Sequence, residues 1–374
     1  MFILQAICRN SIILRLWYIV RIAVLIAAFS TLSGCATSQA VDALHRTAIS
    51  WPLLSSPSRV VWVKTISDPT DISKSKGFWK RISEAISGEE TSAIVRPYGV
   101  LRSAAGALYL ADPGRGVIHR MDITNSSYST ISSREGSPLS SPIGLAEDNL
   151  GRLYITDSIN GILYRYTPKD DSLVPFLSQG LERPTGIAFN PVNQLLYLSD
   201  TLANQIIMLD QNGFIVKRIS GRTTGGDGFN RPTDLAVDAV GQIYVTDSLN
   251  FQITLLTPEG QIVRQFGAPG DSAGSFSRPK GIAIDSTGNI YVNDSLMDAI
   301  QVFNQNGDLQ LVFGRNGIEP GQFWMPSGLF IDKLDQIYVA DTYNRRIQIF
   351  RYLTHRSDEE EKSEATLFDK QLTP

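Results

Sequence analysis

The residues of this chain best suited to chemistry are six aspartates at nearly constant spacing: Asp112, Asp157, Asp200, Asp247, Asp294 and Asp341. Successive members stand 45, 43, 47, 47 and 47 residues apart, and each lies three positions after a tyrosine, from Tyr109 to Tyr338. Carboxylates brought together by a fold can hold a divalent cation or divide acid and base roles between them. Five of the six, however, precede Ser or Thr (Asp157, Asp200, Asp247, Asp294 and Asp341). An Asp in that setting bonds the backbone N–H groups of its turn. A feature present in every copy serves the copy, so the aspartates and tyrosines are assigned to the structure of the repeat.

Other chemistry is sparse. His45 and His355 lie outside the repeated region, which leaves His119 alone within it. A zinc site needs three or four protein ligands, so a His-rich one cannot be built. An enzyme would have to draw on His119 with carboxylates such as Asp157 and Asp247. No nucleophile elbow or phosphate loop is recognised. Cys8 and Cys35 both stand near the N-terminus, so the repeats carry no disulfide and no thiol chemistry. No catalytic residue, metal or cofactor is assigned. With 34 Lys+Arg against 37 Asp+Glu the net charge is −3, which argues against a general nucleic-acid binder.

The elements that position these residues are read most clearly in residues 278–313. Apolar alternation in Gly281–Ile284, Asn289–Asp294, Ala299–Phe303 and Leu309–Phe313 predicts four short strands. Asp285–Gly288 and Asn304–Gly307 supply tight turns between them. The unit is an antiparallel meander, and six copies at a period of 43–47 residues are the signature of a β-propeller. A proline opens each copy: Pro97, Pro142, Pro184, Pro232, Pro279 and Pro326.

The pattern RPxGIAxDxxGxIYVxDSxNxxIxxF, with lead-ins such as GRTTGGDGFNRP and GRNGIEPGQFWMP, resembles NHL repeats over residues 96–353. The resemblance implies an all-β chain: a six-bladed β-propeller of four-stranded antiparallel blades. The sixth copy ends near Leu353 without a fourth strand, while residues 59–66, RVVWVKTI, form an orphan strand upstream. We expect 59–66 to complete the last blade and close the ring, which also protects its edges. Among similar propellers, the amidating lyase needs several histidines around zinc and the streptogramin-lyase type a catalytic histidine. The gluconolactonase type binds a divalent cation with Glu, Asn and Asp; Glu147 and Glu182 match no motif of that kind. RNA binding in animal NHL proteins uses a basic upper face. Here Arg183, Arg231 and Arg278 stand before Pro as part of the repeat pattern, and Arg315 lies in a lead-in.

The flanks read as an address. Residues 1–34 have the arginine-bearing start, apolar run and small-residue end of a signal peptide. Leu32-Ser33-Gly34-Cys35 resembles the lipobox of bacterial lipoproteins, which makes Cys35 the acylated N-terminus of a membrane-attached protein. Ala36 after it resembles the sorting signal for the outer membrane, so a cell-envelope protein facing the periplasm is expected. Residues 35–58 read as a tether and 354–374 as an acidic disordered tail. In the insertion 67–95, Phe78, Ile82 and Ile86 with Trp79 predict a short amphipathic helix. It either packs as core, covers the channel mouth or touches the membrane surface.

Propellers carry function on loops. The tips after the second strand vary at Arg115, Asn160, Asn204, Asn250, Asp298 and Arg345, and the lead-ins bearing Phe229, Phe276 and Trp324 share that face. The resulting expectation is a non-catalytic binding or scaffold propeller with a protein, peptide or polysaccharide partner. The alternative is a propeller hydrolase or lyase with a cation in its channel.

Overall fold

The computed structural model describes residues 49–52, 59–68, 94–122, 125–132, 139–220 and 228–353. Their regular structure is β throughout, apart from one 3-10 turn at Ser248–Asn250. The strands form six antiparallel sheets, five of them chain-ordered meanders of four strands. Blade 1 holds Val100–Arg102, Ala107–Asp112, Val117–Asp122 and Ser127–Ile131. Blade 2 holds Pro142–Glu147, Leu153–Asp157, Ile162–Thr167 and Ser172–Leu177. Blade 3 holds Pro184–Asn190, Leu195–Asp200, Gln205–Leu209 and Ile215–Ile219. Blade 4 holds Pro232–Val237, Ile243–Asp247, Gln252–Leu256 and Ile262–Phe266, and blade 5 Pro279–Ile284, Ile290–Asp294, Ala299–Phe303 and Leu309–Phe313. Blade 6 has Leu329–Ile331, Gln336–Asp341 and Arg346–Tyr352.

The burial pattern explains the repeat. Second strands such as Ile290–Asp294 are buried at every residue, because each lies inside its own sheet and between two neighbouring ones. Outer strands such as Ile215–Ile219 are mostly exposed. The repeated tyrosines fill the space between blades and still satisfy their hydroxyls. Tyr154, Tyr291 and Tyr338 donate at 3.1 Å to Asp148, Asp285 and Asp332, which sit in the turns between first and second strands. Those turn aspartates in turn accept backbone N–H bonds, as Asp285 does from Thr287 and Asn289 at 2.9 Å. Gly288 completes that turn at φ +84, a conformation that suits glycine.

Ring closure follows the expected route. Val60–Ile66 pairs with Arg346–Tyr352, from Val60 opposite Tyr352 to Ile66 opposite Ile347, with one bulge between Trp62 and Lys64. The sixth blade then goes one strand further. Ser50–Trp51 pairs outside Val60–Val61 as a fifth strand. Trp51 is buried against Phe313 and Phe350, with ring centroids 5.7 and 5.8 Å away. The expected tether therefore reaches too far: residues 49–52 belong to the propeller, because Trp51 has an apolar seam to fill between blades 5 and 6. The remaining expectations about the signal peptide, Cys35, the helix at 78–86 and the acidic tail fall outside the described residues.

Candidate functional site

Each repeated aspartate proves to be a staple. Asp294 accepts from Ser277 N–H at 2.7 Å and Arg278 N–H at 2.9 Å, which pins the lead-in of its own blade to the end of the second strand. Asp112 does the same for Val95 and Arg96, Asp157 for Ser140 and Ser141, and Asp200 for Glu182 and Arg183. Asp247 holds Asn230 and Asp341 holds Trp324. All six are fully buried. The following hydroxyl ties the blade to its neighbour: Ser158 to Pro184 C=O, Thr201 to Pro232, Ser248 to Pro279, and Thr342 to Pro97. The last of these joins blade 6 to blade 1 by the bond that joins successive blades.

His119 belongs to this scaffold too. It is fully buried in blade 1, with Nε2 3.1 Å from Asp112 Oδ2 and Nδ1 2.8 Å from the Tyr128 hydroxyl. Seven residues after their own aspartates, Gln301 and Gln348 are buried in the same way. Gln348 bonds Asp341 at 3.0 Å and the lead-in carbonyl of Gln322 at 2.6 Å. Burial works to raise the Asp112 carboxyl, yet the bonds from His119, Val95 and Arg96 together hold it below its ordinary value. In Asp247 and Asp341 burial wins, and both carboxyls are pushed up. His119, Asp157 and Asp247 lie in three different blades, each in its own staple, so the trio an enzyme would need does not converge.

The six tip residues do not share one structural position. Asn160, Asn250 and Arg115 stand three residues after their aspartates, whereas Asn204, Asp298 and Arg345 stand four after and have φ of +50 to +54. Asn160 and Asn250 bond back to Asp157 and Asp247 at 3.1 and 2.7 Å. Asn204 and Asp298 reach the next blade's lead-in, at Arg231 N–H (2.8 Å) and Met325 N–H (2.6 Å). Four of the six are thus spent on the fold; Arg115 and Arg345 remain exposed. Phe229 and Phe276 are buried between blades, and of the three lead-in aromatics only Trp324 is exposed.

What the tips do present lies at the position after the Ser or Thr. Ile159, Leu202, Leu249, Leu296 and Tyr343 are 39–71% exposed at equivalent points of blades 2 to 6. The Ser or Thr before each is buried or half-buried, and none of these five side chains belongs to a core cluster. Tyr343 lies beside Trp324, ring centroids 5.5 Å apart. The upper face, which carries the lead-ins and these tips, is rimmed by an apolar crown.

Inside the crown, the six first strands enclose an axial channel of about 770 Å³. Near its upper end the second residue after each proline forms a ring: Gly99, Gly144, Gly186, Asp234, Gly281 and Gly328. The glycines are required by close approach. A Cβ on Gly99 would lie 2.0 Å from Ile143 O, and one on Gly328 2.0 Å from Tyr98 O. Asp234 alone breaks the ring. Its carboxylate accepts from Leu235 N–H at 2.9 Å and Ile282 N–H at 3.3 Å, and burial pushes it up to about 7. The group is enclosed by the wall, although it keeps some contact with channel solvent.

Two further groups stand at this end. The Lys280 ammonium lies 5.9 Å from the centre of the Tyr98 ring. Burial, with help from Arg278 and Arg96, lowers Lys280 to about 8. Burial, and then the Asp234 charge, raise the Tyr98 phenol to about 12. At the lower end, Arg102 bridges Asp332 at 2.9 Å and touches the Tyr338 hydroxyl at 3.1 Å. Glu147 accepts from Ala104 N–H at 2.7 Å and is raised mainly by burial, whereas Glu182 is exposed on the upper loops.

The donor set does not fit a divalent cation: among the described residues no three His, Cys, Asp or Glu side chains come together. The carboxylates that might contribute already accept backbone N–H bonds. Gly270-Asp271-Ser272-Ala273-Gly274 does match the spacing of a nucleophile elbow, which the sequence reading passed over. Ser272 is nevertheless an exposed residue of a lead-in turn, accepting from Ser275 N–H at 3.0 Å, with no strand–turn–helix around it. Sequence reading also missed Asp234 and Lys280. The signal was available: five copies read Pro-x-Gly, and one reads Pro-Thr-Asp.

The family model of the SMP-30/Gluconolactonase/LRE-like region matches residues 155–276, and that of the NHL repeat matches 323–350. The chain is a six-bladed β-propeller, and the NHL match lies in its sixth blade. None of the curated proteins matches it in sequence. Among solved structures it is similar to virginiamycin B lyase from Staphylococcus aureus, with 16% identity, TM-score 0.54, and 69% of this chain and 96% of that one covered. An auxiliary nutrient binding protein from Bacteroides thetaiotaomicron gives 15% identity, TM-score 0.55 and coverage of 71% and 74%. A gluconolactonase from Xanthomonas campestris gives 14%, 0.53, and coverage of 69% and 86%. At these identities the likeness is one of fold.

Proposed function

We propose that this chain is a non-catalytic binding module of the bacterial cell envelope, anchored by lipid on Cys35 and presenting its upper face to a protein, peptide or polysaccharide partner. The observation that carries the reading is the apolar crown. Five blades repeat an exposed large side chain that belongs to no core cluster, around the mouth of a preformed channel. Apolar residues with no packing role on one rigid face are the usual mark of an interaction surface. The acyl chains on Cys35 would hold the module at the outer membrane, facing the periplasm.

The test is capture of a partner from solubilised membranes by the full-length protein. A defined partner should co-purify in fixed ratio and be lost with Leu249→Asp and Leu296→Asp together. Capture indifferent to those changes contradicts the face. A Cys35→Ala chain that still fractionates with membranes contradicts the anchor. The match over residues 155–276 favours a second reading, a hydrolase or lyase with a divalent cation in the channel. Stoichiometric Ca²⁺ or Zn²⁺ retained through purification, with Asp234→Asn releasing it, would favour that reading over ours.

A further inference from the structure

The upper end of the channel is crowded with cations. Arg96, Arg183, Arg231 and Arg278 occupy one equivalent position, immediately before the proline, in blades 1, 3, 4 and 5. Three of them are exposed and Arg231 is half-buried. Among the described residues none of these four guanidiniums has a hydrogen-bond or ion-pair partner. Arg96 stands two residues before Tyr98 and Arg278 two before Lys280, whose ammonium lies 5.9 Å from the centre of the Tyr98 ring, and the charges of Arg96, Arg183 and Arg278 all work to lower the Tyr98 phenol. Arg278 and Arg96 also act on Lys280 below them. The carboxylates at this end are Asp234 in the wall, the exposed Glu182 and the buried staple aspartates, of which Asp112, Asp200 and Asp294 accept the backbone N–H groups of Arg96, Arg183 and Arg278. The staple carboxylates are spent on backbone N–H groups and pair with none of these guanidiniums, so the exposed cationic heads repel one another, and the repulsion is relieved when an anion binds among them.

We propose that the upper end of the channel is an anion site, which takes a carboxylate or phosphate group of the partner between Lys280 and the arginines Arg96, Arg183 and Arg278. This rests on the reading of the upper face as the binding face. The crown would grip the apolar part of the partner, while the acidic group enters the channel mouth. An acidic side chain or chain terminus is narrow enough to reach Lys280 beside Tyr98; a membrane surface is not.

Asp234 sets the pH response. Tyr98 and the charges around it face this carboxyl, and its value of about 7 leaves it largely neutral in mildly acidic solution. Neutral Asp234 does not oppose an incoming anion, and Lys280 is then protonated. Anion affinity should therefore rise as pH falls through 7.

The test uses inorganic phosphate and acetate against chloride at equal ionic strength, read by thermal unfolding and calorimetric titration. For wild type, at least one of the two oxyanions should raise the midpoint by about 2–4 °C. Whichever does so names the group. Lys280→Met and the exposed pair Arg183→Gln with Arg278→Gln should each abolish the rise, and the arginine pair keeps the test valid if the lysine variant misfolds. No rise in wild type, or an equal rise in the variants, overturns the site. Partner capture that survives loss of oxyanion binding would leave the binding face standing and remove only the anion site. Oxyanion binding without any partner would do the reverse.

Discussion

Two rings of six residues lie on the upper half of this propeller, and they are used in opposite ways. The outer ring, Asp112 to Asp341, is the same in every blade, fully buried, and consumed by backbone N–H bonds. The inner ring is glycine in five blades and Asp234 in blade 4. Uniform positions in a repeat protein answer to the blade, which each copy must build alike. A position where one copy departs answers to something that meets the ring as a whole. The chemically tempting residues are thus structural, and the repeat fails at a residue that lines the channel.

The largest effects should come from the uniform ring. Asp294→Ala leaves the Ser277 and Arg278 N–H groups without their acceptor and should cost on the order of 3 kcal/mol, measured by urea unfolding. Gly281→Ala is next. Its Cβ would sit 2.4 Å from the Ser327 carbonyl oxygen of the adjoining blade, and about 1–3 kcal/mol of overpacking is expected in the same assay. A neutral result in either would dissolve the distinction between the rings.

Asp234 should show itself through pH. Its carboxyl is raised in the folded chain from 3.8 to about 7, so it binds its proton more tightly folded than unfolded. The stability it contributes is full below about pH 4 and is lost as pH rises through 7. Unfolding midpoints followed from pH 4 to 8 should decline in wild type, and this part of the decline should vanish in Asp234→Asn. The smallest change is expected of His119→Gln. Glutamine already fills the equivalent places at Gln301 and Gln348, so stability should shift by less than about 1 kcal/mol. Partner capture should not shift at all.

Much of the architecture was legible because strand alternation and the Tyr-x-x-Asp spacing are local signals. Even the closing strand at 60–66 could be inferred, since blade 6 visibly lacked a fourth strand. Residues 49–52 were not legible. A two-residue strand has no period, and Trp51 is explained only by Phe313 and Phe350, which lie far away in sequence. The differing roles of the tip residues were hidden for a related reason. Asn160 and Asn204 look equivalent as variable polar tips, but the turns place them one position apart and commit both to the fold. Exposure of Leu249 or Leu296 depends on the direction of a loop tip, and the common action of Arg96, Arg183 and Arg278 on Tyr98 depends on ring geometry. Neither is a property of any short window of sequence.

The central claim is that recognition lies in the channel mouth and the crown, while the histidine and the repeated aspartates only hold the blades. Quantitative partner capture from solubilised membranes by wild type, His119→Gln and Lys280→Met tests it most directly. Full capture by His119→Gln with loss in Lys280→Met, both chains remaining folded, is the expected result. Loss in His119→Gln with capture intact in Lys280→Met would contradict the account.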